Sequence, residues 1–129
     1  MIRTKCVNLP KDPKRDGFRI LTTRLWPRGV KKNRCHAWMP NLGPSQGLLK
    51  EGQTGKLSWA EFAKRYKAEL FESGSIDKRN KQIKNRGQKF TLRMLQTLAK
   101  RGPVTLMCYC PDGQPCHRNL LPKLLRGKV

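Results

Sequence analysis

Branched and aromatic residues gather in two places along the chain. Phe18-Arg19-Ile20-Leu21-Thr22-Thr23-Arg24-Leu25-Trp26 runs up to Pro27 and Gly29, both strong punctuation, and reads as the first major strand. Pro103-Val104-Thr105-Leu106-Met107-Cys108-Tyr109-Cys110 is a short apolar run ahead of Pro111-Asp112-Gly113, suited to a buried strand of a parallel sheet. Between them the apolar period becomes helical. Ser58 caps a segment in which Trp59, Phe62, Tyr66 and Leu70 recur at helical spacing, and Glu61, three residues on, completes a capping box. This aromatic stripe reads as core packing. A second helix is expected over Phe90, Met94, Leu95 and Leu98, ending near Gly102-Pro103, and a third opening at Cys116 or His117 and carrying Leu120, Leu121, Leu124 and Leu125. From Gly29 to Gly55, Pro, Gly, Asn and Lys predominate, so a long connection with one short helix is expected there. The order of strand, connection, helices, strand, turn and helix is that of an α/β fold: one compact domain over residues 1–129, with a mainly parallel sheet flanked by helices.

Charge changes the picture more than size does. The chain has 29 Lys and Arg against 8 Asp and Glu, a formal net charge of +21. A field of that strength draws polyanions, so the expected partners are an anionic small molecule or a nucleic acid, bound with a strong salt dependence. The densest basic stretch carries Lys78, Arg79, Lys81, Lys84, Arg86 and Lys89, and it is the candidate nucleic-acid clamp. Mutual repulsion makes its first half a poor autonomous helix. Neither a signal-peptide stretch nor an apolar run long enough for a membrane span is present, so no membrane association is expected. Five cysteines, an odd number, fit a reducing compartment better than a disulfide framework, and the expected location is the cytoplasm.

Ligands of open parallel sheets bind beyond the carboxyl ends of the strands. In this chain those ends carry Trp26-Pro27-Arg28-Gly29 and the turn leading to Cys116-His117-Arg118. If the two strands are neighbours, Arg24, Arg28 and Arg118 can fix a phosphate or carboxylate, with Trp26 and Gly29 shaping the loop. Cys116, at a helix N-terminus and near arginines, is the expected thiolate nucleophile, and His117 the general acid or base. Cys108, Cys110, Cys116 and His117 also lie within ten residues of one another and are candidate metal ligands, although the Cys-x-x-Cys pairing of structural zinc sites is absent. A Cys110–Cys116 disulfide formed on oxidation is a further option. No organic cofactor is expected.

Asp16-Gly17-Phe18-Arg19-Ile20-Leu21, followed by Arg24-Leu25-Trp26-Pro27-Arg28-Gly29-Val30-Lys31-Lys32, resembles the signature of the DUF488 (YeaO-like) family. Gly43-Pro44-Ser45, the Trp59, Phe62, Tyr66, Glu69 and Leu70 pattern, and Cys116-His117-Arg118 extend the likeness over nearly the whole chain. The resemblance implies a compact α/β domain with a pocket built from the Trp-Pro-Arg-Gly and Cys-His-Arg elements, and it supplies no reaction. Thr23 stands where family members commonly carry an acid, and Pro40-Asn41 where they carry a charged pair, which would make the pocket more receptive to anions. Three readings follow: a thiol-dependent enzyme acting on a nucleotide or other phosphorylated compound, a basic nucleic-acid-binding module, and a metal or redox sensor built on the cysteine cluster.

Overall fold

The computed structural model describes residues 2–71, 75–77, 80–84, 87–110 and 115–129, with the backbone alone for 75–77 and 80–84. Four strands, β1 (Ile2–Cys6), β2 (Phe18–Leu21), β3 (Ala37–Trp38) and β6 (Val104–Cys108), form one sheet in the order β1-β6-β2-β3. Every pairing in it is parallel. The last strand in sequence is therefore central, flanked by β1 in the register Cys6↔Cys108 and by β2 in the register Leu21↔Met107. That position explains the unbroken burial of Val104-Thr105-Leu106-Met107-Cys108.

Helices α1 (Pro13–Asp16), α2 (Gln46–Gln53), α3 (Trp59–Phe71), α4 (Gln88–Arg101) and α5 (Leu121–Leu125) complete the described α/β domain, together with a separate antiparallel pair, β4 (Ser75–Asp77) and β5 (Asn80–Lys84). Alternation along the strands divides the core. Ile20, Val104 and Leu106 face α3, α4 and α5 and pack with Leu42, Tyr66, Leu70, Leu92, Leu95 and Leu121. Leu21 and Met107 face the other way and pack with Val7, Trp26, Val30 and Cys35.

Several expectations are corrected. The first major strand ends at Leu21 and not at Trp26, because after Thr22 the chain leaves the sheet and Arg24 turns to the Gly43-Pro44 main chain. β1 was hidden by its Arg3 and Lys5, which keep an edge strand looking polar. In α4 the buried stripe is Gln88, Leu92 and Leu95, whereas Phe90 and Met94 are exposed, since at 100° per residue they fall outside it. The C-terminal helix opens as a 3-10 turn over His117–Asn119 and becomes α-helical only from Leu121.

Two features lock β1 and β2 against β6. Gly17, at φ 58°, enters β2 so close to Pro103 that a Cβ would lie 2.1 Å from the Pro103 carbonyl oxygen, and only glycine fits. Asp16, 2% exposed, accepts from the Lys5 ammonium at 3.0 and 3.2 Å and from the Asp12 N–H at 2.9 Å. Burial alone would raise the Asp16 pKa, but these donors outweigh it and hold the carboxyl below its usual range.

Candidate functional site

The site is built where β6 ends. Cys108 is the last residue of that strand, and a two-residue step along the chain brings Cys110 to the same region. Cys116 comes back to it from the described segment 115–129. The Sγ atoms of these three cysteines all lie within 4.8 Å of one another, with Cys108 and Cys116 buried and Cys110 half-buried. His117 does not join them through both ring nitrogens. Its Nε2 faces the Thr22 carbonyl at 2.9 Å and the Thr22 hydroxyl at 3.3 Å, while its Nδ1 faces the Cys116 sulfur at 3.6 Å. The Thr22 hydroxyl itself donates to the Met107 carbonyl, so the network assigns the proton to Nε2 and leaves Nδ1 as an acceptor toward the thiol.

Burial lowers the His117 pKa to about 4 and keeps the ring neutral. Its edge meets Tyr66, at 5.6 Å between ring centroids, and the Tyr66 hydroxyl donates to the Leu42 carbonyl at 2.5 Å. Burial, with nearby thiols and Glu69, pushes that phenol up, so it stays protonated.

The three sulfurs shift one another's titration. Hydrogen bonds from Cys108 and Cys116 draw the Cys110 pKa down against burial, and the Arg118 guanidinium adds to the effect. The same hydrogen bonds, together with burial, push the Cys116 thiol up. A five-residue α-helix preceded by a 3-10 turn offers little dipole to oppose this.

The arginines hold main chain. Arg118, 1% exposed, donates from Nη1 to the Cys110 carbonyl at 2.7 Å and to the Cys108 carbonyl at 3.4 Å, and so fixes the backbone that carries two of the sulfurs. Arg24 donates from Nε to the Pro44 carbonyl at 2.5 Å and from Nη2 to the Gly43 carbonyl at 2.8 Å. Gly43 is required there, since a Cβ would sit 2.5 Å from the Arg24 nitrogen. Ser45 then caps α2 by accepting from the Leu48 N–H, and Glu69 accepts from both the Ser45 N–H and its hydroxyl.

Trp26 and Arg28 stand elsewhere. Trp26 packs in the Leu21–Met107 cluster, on the sheet face opposite Cys108, and Arg28 is exposed on the turn closed by Val30 N–H to the Pro27 carbonyl at 3.3 Å. Gly29, at φ 80° with open space around its Cα, is needed for the turn's backbone and not for room. Thr22, rather than the Trp-Pro-Arg-Gly string, thus joins the first strand to His117, while Arg24 holds the Gly43-Pro44 main chain. Of the basic clamp, Lys89 lies in the first turn of α4, Lys81 and Lys84 are on β5 with their side chains not described, and Lys78, Arg79 and Arg86 lie outside the described residues.

A cavity of about 340 Å³ opens beside the sulfurs. Cys110, Cys116 and His117 line it together with Leu49, Trp59 and Phe62. Trp59 and Phe62 stack at 5.4 Å, so the aromatic stripe of α3 supplies a cavity wall as well as core. Thr22, Tyr66 and Glu69 are the site residues that sequence reasoning did not assign a role. Tyr66 was legible as a core position of the helical stripe, Glu69 only within the family pattern, and Thr22 carried no signal.

The family model for the DUF488-N3a group, described as the active DUF488-N3 subclade, matches residues 2–129. The Escherichia coli K12 protein YeaO is 32% identical over 114 residues, covering 87% of this chain and 86% of its own length. Rv3073c of Mycobacterium tuberculosis H37Rv and Mb3100c of Mycobacterium bovis are each 34% identical over 115 residues, covering 88% of this chain and 84% of theirs. All three are uncharacterized proteins. No solved structure matches the chain. Among the described residues no helix is long and apolar enough to cross a membrane. With a match along essentially the full sequence, the chain belongs to the DUF488 family.

Proposed function

We propose that this protein works as a thiol-based metal sensor, holding one soft metal ion through Cys108, Cys110 and Cys116. The observation that carries the reading is the convergence of three sulfurs within 4.8 Å of one another at the end of a buried strand. Around a tetrahedral zinc ion with bonds near 2.3 Å, sulfurs stand about 3.8 Å apart, so a small contraction of the trio would enclose the ion. Thiolate ligands suit Zn(II), Cd(II) or Cu(I), and not hard cations. Three protein ligands leave a fourth position, and the cavity bordered by Cys110 and Cys116 gives that position room. Arg118 supplies both the backbone clamp and a positive charge beside an anionic centre.

The closeness of the sulfurs also favours a second reading, redox sensing. Cys110 and Cys116 would lose two electrons and two protons to a peroxide, joining as a disulfide while the peroxide O–O bond breaks to give two waters, or an alcohol and a water from an alkyl peroxide. A thiol enzyme acting on a phosphorylated substrate draws less support from the geometry. The neighbouring cavity has largely apolar walls, and Arg24 and Arg118 are directed at carbonyls.

The test is anaerobic titration of the reduced, untagged protein with Cd(II), followed by the sulfur-to-metal charge-transfer absorbance. One ion per chain is expected, lost on Cys108→Ser, Cys110→Ser or Cys116→Ser and kept on Cys35→Ser. Binding that survives all three substitutions, or no binding, would overturn the metal reading.

A further inference from the structure

The Trp26–Gly29 string, left unused by the thiol site, builds a second and independent feature at the β3 edge of the sheet. The Trp26 indole N–H donates to the Val30 carbonyl at 2.9 Å, and the Trp38 indole N–H to the Thr23 carbonyl at 2.6 Å. Both polar ends are thereby engaged, and the rings are fixed edge to face at 5.5 Å and 80°. Trp38 remains 40% exposed. Beside it, His36 stacks on Phe18 at 5.2 Å with the rings 9° from parallel, and both are exposed. Trp26, Trp38, His36 and Lys32 border a cavity of about 400 Å³, open at the edge strand.

Charge along this stretch of chain has one sign. Between Asp16 and Glu51 the sequence has no acidic residue, while Arg28, Lys31 and Lys32 are exposed on the loop that frames the cavity. Locked aromatic faces with a cationic border are what a strand of nucleotides requires: bases stack on the rings and phosphates follow the cations. An acidic peptide would satisfy the charge and leave the flat faces without a matching partner. A duplex hides its base faces and would gain only the charge contacts.

We propose that this edge binds single-stranded nucleic acid, with a base stacked on Trp38 and the adjoining phosphates on Lys31, Lys32 and Arg28. The residues differ from the basic clamp expected at 78–89. No part of the proposal depends on the state of the cysteines.

The experiment measures fluorescence anisotropy of a labelled twelve-residue oligothymidylate against the full chain, with heparin as a polyanion that has no bases. The wild type is expected to bind both. Trp38→Ala should weaken oligothymidylate by about 5- to 150-fold, the range for loss of one stacked base, and leave heparin binding within a factor of two. Trp38→Phe should retain most of the oligonucleotide affinity. Lys32→Glu should weaken both ligands and make the salt dependence shallower by about 0.7 or more in the log–log slope. Oligothymidylate binding unchanged in Trp38→Ala, an equal loss for heparin and the oligonucleotide in that variant, or no oligonucleotide binding at low salt overturns the proposal.

Discussion

Replacing Arg118 by methionine separates the two roles assigned to that side chain. Its Nη1 reaches the Cys110 carbonyl at 2.7 Å and the Cys108 carbonyl at 3.4 Å. The Cys108 oxygen keeps the Val7 N–H at 2.8 Å, so the principal carbonyl left without this support is that of Cys110. A buried acceptor deprived of its donor costs about 1–3 kcal/mol, and removing a buried charge offsets part of that. The domain should therefore remain folded, with a modest fall in melting temperature. Metal binding should suffer more, because residues that orient ligands typically contribute about 10- to 100-fold to metal affinity. Competitive Cd(II) titration against a chelator of known affinity reads the change, and a circular-dichroism melt of the same sample confirms the fold. An Arg118→Met protein that melts cooperatively and binds Cd(II) within twofold of wild type would show that the guanidinium does not organise the sulfurs.

Tyr66→Phe removes the donor to the buried Leu42 carbonyl and should cost about 1–3 kcal/mol, seen as a melting temperature lower by several degrees. Asp16→Asn removes the charged partner of Lys5, for a loss near neutral pH of about 1.5–3 kcal/mol in urea unfolding. Because the folded pKa of Asp16 is depressed, its contribution is present above the unfolded value of 3.8 and fades as pH falls below it. Wild-type and variant stabilities should accordingly converge in acid, and a gap that stays constant down to pH 2 contradicts the assignment. Gly17→Ala should destabilise by about 3 kcal/mol or more, since positive φ and a 2.1 Å approach to Pro103 act together; a soluble variant of wild-type stability would refute that packing.

The α/β class was legible because its strongest signals are local. Val104 to Met107 reads as a buried strand since the central position in a parallel sheet buries both faces, and the spacing of Phe62, Tyr66 and Leu70 places one side of α3 in the core. β1 was not legible: an edge strand is stabilised by hydrogen bonds to β6, which leave no trace in the pattern of Arg3, Thr4 and Lys5. The extent of α4 was readable and its buried face was not, because Phe90 and Met94 are large, apolar and outward. At the site, four donors close in sequence could be named, whereas which of them converge is decided by contacts with distant parts of the chain. The sulfurs come together and His117 is turned toward Thr22, a partner 95 residues away. The roles of Arg24 and Arg118 could not be read either, since a guanidinium that clamps carbonyls and one that awaits an anion look alike in a sequence.

X-ray absorption at the edge of zinc or cadmium, on the reduced full chain loaded with one equivalent, interrogates the sulfur trio without relying on affinity. Three sulfur scatterers are expected, near 2.3 Å for zinc, with one lighter atom completing the shell, and one sulfur fewer in Cys116→Ser. A first shell of nitrogen and oxygen only, the same in wild type and variant, would contradict the account.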